Sequence, residues 1–431
     1  MMKSSPNSVI SILPLLIFVT VFLGFGIYQN DFYALPSPIA ALVGIVSAFM
    51  IFRGSIHDKI DIFLKGCGDG KILTMCFIYL LAGAFATVSK TIGSVESIVN
   101  LGLAYISPQY FAAGIFFVAS FLSFASGTSV GSIVTLAPIV IDLAEKSQSP
   151  LGLVSAALLC GAMFGDNLSI ISDTTIAATQ SLNCEMKDKF RANFKLAFPA
   201  AILAFIVFLY LGNQASANSV ITLDSANGNP LLILPYLLVI GLSIAGINVF
   251  VTLFCGILFS GVLGLYFGNF DFLGFTKTTY EGFTGMTEIF LLSLFTGGLA
   301  ALVEKAGGIQ FLLNKISRFI NNRKNAMLGI GSLVSVTNLC VANNTIAILI
   351  SGNIAKKITD KFGLKPKESA SVLDIFACYV QGLIPYGAQV LILISLSQFK
   401  ISYTELFLNA WYLHILLLAT ILYILLGKSK K

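Results

Sequence analysis

Asp166, Asn167, Ser169, Asp173 and Thr174 stand in the middle of apolar sequence, with no charge in residues 151–164 before them or 176–178 after them. A carboxylate in hydrocarbon is costly, so such residues face a partner, a cavity or a permeating ion. Carboxylate, amide and hydroxyl oxygens are hard donors that suit Na⁺ better than zinc or copper. Burial also disfavours the charged form of a carboxyl group. One desolvated aspartate could therefore hold either a proton or a sodium ion, but not both. Asp166, beside Gly165, is the first candidate for that role and Asp173 the second. The blander reading of Asp166, Ser172 or Asp173 is helix N-capping.

Composition says what surrounds them. Hydrophobic residues make up 56% of the 431, charged residues only 11%, and mean hydropathy is +0.89. Soluble domains carry about 25% charged residues, so this is an integral membrane protein. The net charge of +6 sits in short loops between apolar runs, which is an orientation signal rather than a nucleic-acid surface. Seven cysteines without a CxxC pair, and only His57 and His414, argue against a disulfide framework or a metal cofactor. Residues 9–28 are long enough to cross a bilayer and lack a cleavage motif, so they read as a first span that stays. Gly66, Gly68 and Asp69 spell the GxGD string of intramembrane proteases. No Tyr-Asp dipeptide supplies the second aspartate, and a glycine-rich loop is the better reading.

The apolar runs repeat with an offset near 214, which divides the chain into 1–213 and 214–431. Gly93 falls on Gly307 and Asn100 on Asn314. Each half ends with two interrupted runs and one ordinary span. The first interruption joins two short legs through a small, polar tip: residues 109–144 with tip 125–132, and residues 326–355 with tip 337–345. These are expected to be re-entrant hairpins, because freed backbone at that depth must line protein or a wet cavity. The second interruption is a span broken in its middle, 151–179 at 165–169 and 370–398 at 381–389, the latter carrying Pro385 between glycines. Paired Gly/Pro-interrupted segments in two halves point to a transporter's binding site.

The expected fold is therefore all-α and polytopic, with five crossings, one hairpin and one broken helix per repeat. Five is odd, so the second repeat enters the membrane inverted. The basic residues fit this. Loops 53–71, 181–195, 305–324 and 356–367 and the tail 428–431 are rich in Lys and Arg, the opposite loops poor. Both termini are expected to be cytoplasmic in a cell membrane. Inversion would gather Thr128, Ser129, Asp166, Asn167, Ser169, Asp173, Thr174, Asn343, Asn344, Thr345, Asp374 and Gln381 near the midplane. Thr128, Ser129 and Asn343–Thr345 could instead be turn formers, and Asp374 a structural partner for a hydroxyl. No lysine or arginine falls within these central stretches, which favours a cation as cargo.

The run from Gly165-Asp166-Asn167-Leu168-Ser169 to Asp173-Thr174-Thr175, with Asp374-Ile375-Phe376 and Gln381 to Pro385, resembles the NhaC family of Na⁺/H⁺ antiporters. Ser126 to Ser129 and Asn343 to Thr345 are similar to the polar hairpin tips of the wider ion transporter superfamily. The resemblance implies an inverted-repeat carrier, not an enzyme, with a scaffold part, a moving part and often a homodimer. Its partners would be Na⁺, H⁺ and the lipid bilayer, and it would hold no cofactor. Some relatives couple Na⁺ or H⁺ to small organic acids, so a carrier of an organic or amino acid is the alternative. The chain is short for the family and its second tip is rich in asparagine.

Overall fold

Every regular element in the computed structural model is a helix among the described residues, which are 9–29, 35–170, 172–215, 229–317 and 320–426. A backbone away from water has to satisfy its amides within each segment, and helices do so. The first half holds α1 (Leu13–Gln29), α2 (Ser37–Ile51), α3 (Ile56–Cys67), α4 (Gly70–Thr91), α5 (Ser94–Tyr105), α6 (Phe111–Ser126), α7 (Ser129–Ser147), α8 (Leu151–Leu168), α9 (Asp173–Leu182) and α10 (Met186–Ala215). The second half holds α11 (Leu234–Ile244), α12 (Val249–Phe267), α13 (Phe272–Gly285), α14 (Thr287–Lys305), α15 (Gly308–Ser317), α16 (Arg323–Val341), α17 (Asn344–Lys361), α18 (Pro366–Leu383), α19 (Ala388–Leu396), α20 (Tyr403–Leu408) and α21 (Trp411–Leu426). Among the described residues seven helical segments are long and apolar enough to cross a membrane, including 151–182 and 366–396, each of which contains a break. The loop expected at 53–71 is largely the amphipathic helix α3, capped by Ser55. Lys3, residues 216–228 and the basic tail 428–431 lie outside the described residues.

The hairpin tips are shorter than their composition suggests. Between α6 and α7 only Gly127 and Thr128 leave the helix. Gly127 takes a left-handed φ of 71°, and Thr128 Oγ1 accepts the Gly131 amide at 3.3 Å. Between α16 and α17 the same job falls to Ala342, with φ 50°, and to Asn343, whose Oδ1 accepts the Ile346 amide at 3.0 Å. Some polar residues expected in the tips are helical, with their hydroxyls satisfied by the preceding turn. Ser132 bonds the Thr128 carbonyl and Thr337 the Leu333 carbonyl.

The first broken span also departs from expectation. Helix α8 runs through Gly165 to Leu168 and α9 begins at Asp173, so the interruption falls after Leu168 rather than at 165–169. Gly165 serves packing instead. A Cβ there would lie 2.4 Å from the Ser120 carbonyl oxygen, and one at Gly161 would lie 2.3 Å from that of Phe116. Helices α6 and α8 thus touch backbone to backbone, the close approach that small residues allow in membranes. In the second half the break narrows to 384–387 around Pro385.

One ion pair ties these pieces together. Lys189, in the first turn of α10, lies 2.6 Å from Asp374 of α18, with the two side chains 1% and 0% exposed. The ammonium also donates to Thr175 Oγ1 of α9 at 2.7 Å and to the Asn167 carbonyl of α8 at 3.0 Å. All three of its protons are therefore used. Asp374 Oδ2 further accepts from Asn167 Nδ2 at 2.8 Å and from Asn193 Nδ2 at 2.9 Å. This corrects two expectations. The basic run at 181–195 is not wholly a wet loop, and a lysine does lie beside the central stretches. Lys189 is buried because α10 starts at Met186 and carries Lys189, Asn193, Ala197, Ala204 and Phe208 on one packed stripe.

Two outcomes follow. Removing one member of a buried pair leaves an uncompensated charge, at a cost of about 3–5 kcal/mol. Lys189→Met and Asp374→Leu should each abolish a monodisperse peak in detergent, and the double variant should recover it. Gly161→Ala and Gly165→Ala should each lower stability by about 1–3 kcal/mol through overpacking. Gly114→Ala, which meets nothing within 4 Å, should be neutral or stabilising in the same thermal melt.

Candidate functional site

The two hairpin tips and the two breaks border one cavity of about 660 Å³. Its polar lining includes Thr128 and Ser129 from the first tip and Asn343, Asn344 and Thr345 from the second. Asp166, Ser172, Asp173 and Thr174 come from the first broken span, and Gln381 and Gln389 from the second. Residues 166 and 381 belong to the last turns of α8 and α18. Residues 129, 173, 344 and 389 belong to the first turns of α7, α9, α17 and α19. Six helix ends thus converge, which supplies polar groups in an interior that is otherwise apolar. Asp69, at the start of α4, also lines the cavity.

Asp166 is 5% exposed. Each of its oxygens accepts one hydroxyl: Ser129 Oγ donates to Oδ2 at 2.7 Å, and Ser172 Oγ donates to Oδ1 at 2.6 Å. Ser172 Oγ also lies 2.9 Å from Thr174 Oγ1. These partners are neutral. Among the described residues that line the cavity there are three aspartates, Asp69, Asp166 and Asp173, and no lysine or arginine. The nearby lysine faces away, because the α8 helix points Asp166 into the cavity while Asn167, the next residue, turns toward Asp374 and Lys189.

The expected ligand set therefore divides. Thr128, Ser129, Asp166, Asp173, Thr174, Asn343, Asn344, Thr345 and Gln381 line the cavity. Asn167, Ser169 and Asp374 do not. Asn167 and Asp374 bond one another behind it, and the Ser169 carbonyl accepts Thr175 Oγ1 at 2.8 Å. Capping is real at some of the lining positions: Thr128 and Asn343 each accept an amide of the following helix. Asp166 is no N-cap, since it ends a helix. Ser172 stands at the N-cap position of α9, but its hydroxyl goes to Asp166.

Reading by sequence overlooked Ser172, Gln389, Lys189 and Asn193 as members of these networks. In the sequence Ser172 reads as a cap, and Gln389 stands at the edge of an interrupted run. For Lys189 and Asn193 a signal existed. Their four-residue spacing extends the small-residue stripe of α10 back into its basic turn, and a polar pair on a packed stripe asks for a buried partner.

The comparisons with known proteins agree in kind. A model of the Na⁺/H⁺ antiporter family matches residues 3–213 and 216–428. The chain is similar to the Na(+)/H(+) antiporter NhaC of Bacillus subtilis (strain 168), at 26% identity over 81% of this chain and 83% of that one. It is also similar to the malate-2H(+)/Na(+)-lactate antiporter of the same organism, at 23% identity over 86% of each. The arginine/ornithine antiporter ArcD of Halobacterium salinarum (strain ATCC 700922 / JCM 11081 / NRC-1) matches at 22% identity, over 74% of this chain and 72% of that one. With nearly its whole length matched, and with the fold of a polytopic helical membrane protein, the chain belongs to the Na⁺/H⁺ antiporter family and is a secondary transporter, not an enzyme.

Proposed function

We propose that the protein exchanges Na⁺ for H⁺ by alternating access, with both ions competing for the Asp166 carboxylate. The observation that carries this reading is a buried carboxylate bordering a cavity, bonded by the neutral Ser129 and Ser172 with no lysine or arginine on the cavity lining. Such a group has no fixed cation to neutralise it, so a mobile one must do so. Ser129, Thr174, Asn343, Asn344, Thr345 and Gln381 offer further oxygen ligands, and Asp173 a second charge.

The carrier would be built of two inverted repeats, 1–213 and 214–431, each with five crossings and a re-entrant hairpin. Support comes from helix starts 214 or 215 residues apart: Ser94 and Gly308, Ser129 and Asn344, Leu151 and Pro366, Asp173 and Ala388. The family model matching two stretches of similar length points the same way. The basic loops favour cytoplasmic termini.

A second reading is exchange of a small carboxylate coupled to Na⁺ or H⁺. A cavity of about 660 Å³ is far larger than one ion and within the usual range for small organic ligands. The N-termini of α7, α9 and α17 also border it, and such termini favour anionic groups.

Proton-loaded proteoliposomes with an internal pH dye test both. Under the first reading, adding Na⁺ with no organic solute alkalinises the interior, and Asp166→Asn lowers the rate at least about tenfold. Competition for one carboxylate means that each unit of falling pH raises the Na⁺ KM about tenfold in the acid range, with the maximal rate unchanged. A signal that appears only after a hydroxy acid or amino acid is added supports the second reading. Unaltered exchange in Asp166→Asn removes Asp166 from either.

A further inference from the structure

The cavity wall contains a hydrogen-bond chain that crosses from one half of the protein to the other. Gln381 Nε2 donates to Gln389 Oε1 at 2.9 Å, Gln389 Nε2 donates to Ser129 Oγ at 3.1 Å, and Ser129 Oγ donates to Asp166 Oδ2 at 2.7 Å. Gln381, Gln389 and Ser129 are 1%, 2% and 2% exposed. Every donor in the chain points toward Asp166. Gln381 Oε1, at the far end, is buried without a partner and belongs to a residue lining the same cavity.

We propose that Gln389 is a positioning residue that sets ion affinity and selectivity by holding Asp166 and Gln381 in fixed relation. The inference rests on the reading of Asp166 as the ion-binding carboxylate. A hydroxyl has one proton. Because Gln389 already donates to Ser129 Oγ, that proton is left to Asp166, which fixes the tilt of the carboxylate. The other end of the Gln389 amide takes the Gln381 N–H, which turns Gln381 so that its oxygen is the free group. Gln389 thereby orients a charged oxygen on α8 and a neutral oxygen on α18 from a single side chain on α19. A cation held by both meets a spacing that the protein sets, and selectivity by size depends on such rigidity and on ligand number. An unpartnered buried amide oxygen costs stability unless something meets it, and a desolvated cation is a fitting visitor.

Gln389→Met keeps the length of the side chain and removes both bonds. Gln389→Glu keeps the shape and the acceptor and removes the N–H. The test is Na⁺- and Li⁺-driven exchange in proteoliposomes, with Asp166→Asn measured beside them. Both Gln389 variants are expected to raise the Na⁺ KM at least about tenfold while kcat stays within about threefold. The ratio of Li⁺ to Na⁺ KM should change at least about threefold as the spacing loosens. A residue that merely fills space would leave Gln389→Glu with wild-type KM values, and simple charge attraction would lower its Na⁺ KM; either result overturns the proposal. Should Gln389→Met fail to give a monodisperse protein, Gln389→Glu carries the test alone. If Asp166→Asn retains exchange, the underlying reading fails. If Asp166→Asn is dead and the Gln389 variants match wild type, only the role of Gln389 fails.

Discussion

The ion pair between Lys189 and Asp374 is the constraint on which the other arrangements lean. It brings four helices, α8, α9, α10 and α18, to one point, and its ammonium bonds a carbonyl at the end of α8 and a hydroxyl at the start of α9. A broken helix has freed amides and carbonyls on either side of its break. Here the ammonium occupies one of those carbonyls on the side away from the cavity. Buried pairs are weak contributors to net stability, yet they penalise any geometry that separates them. The pair is thus better understood as fixing the register of the breaks than as strengthening the fold.

That register decides which way neighbouring side chains face. Asn167 points to the pair and Asp166, one residue earlier, points to the cavity. The separation leaves one aspartate neutralised by a fixed cation and another bonded by neutral serines. Two carboxylates in one membrane protein thereby meet different surroundings, one paired with a lysine and one bordering the cavity. The hairpin tips complete the open site. Left-handed turns at Gly127 and Ala342 let a new helix begin at once, and each new helix carries its capping residue, Thr128 or Asn343, on the cavity wall. The chain from Gln381 through Gln389 and Ser129 then links the second half to the carboxylate of the first.

Much of this was legible in the sequence. Polar residues in apolar runs are so costly that their positions alone marked where α6 gives way to α7, where α16 gives way to α17, and the two broken spans. The exact ends were not legible, because tertiary contacts set them. Gly165 looked like a helix breaker, yet it lies within α8 where α6 presses on it. Ser132 and Thr337 at the tips looked like loop formers but lie within α7 and α16, their hydroxyls bonded to the preceding turn. Lys189 is hidden among Lys187, Arg191 and Lys195, and its charged partner, Asp374, lies far along the chain. Asp374 and Asn167 were grouped with the ion ligands for the same reason: residue type shows that a group must be neutralised, not by what.

The central claim is that one buried carboxylate trades a proton for a sodium ion. Calorimetric titration of the purified protein with Na⁺ in two buffers of different ionisation enthalpy tests it without transport or a second compartment. If the account holds, the measured heat differs between the buffers in proportion to their ionisation enthalpies, with about one proton released per Na⁺ bound when the site starts protonated. Na⁺ binding whose heat is the same in both buffers at every pH would contradict it.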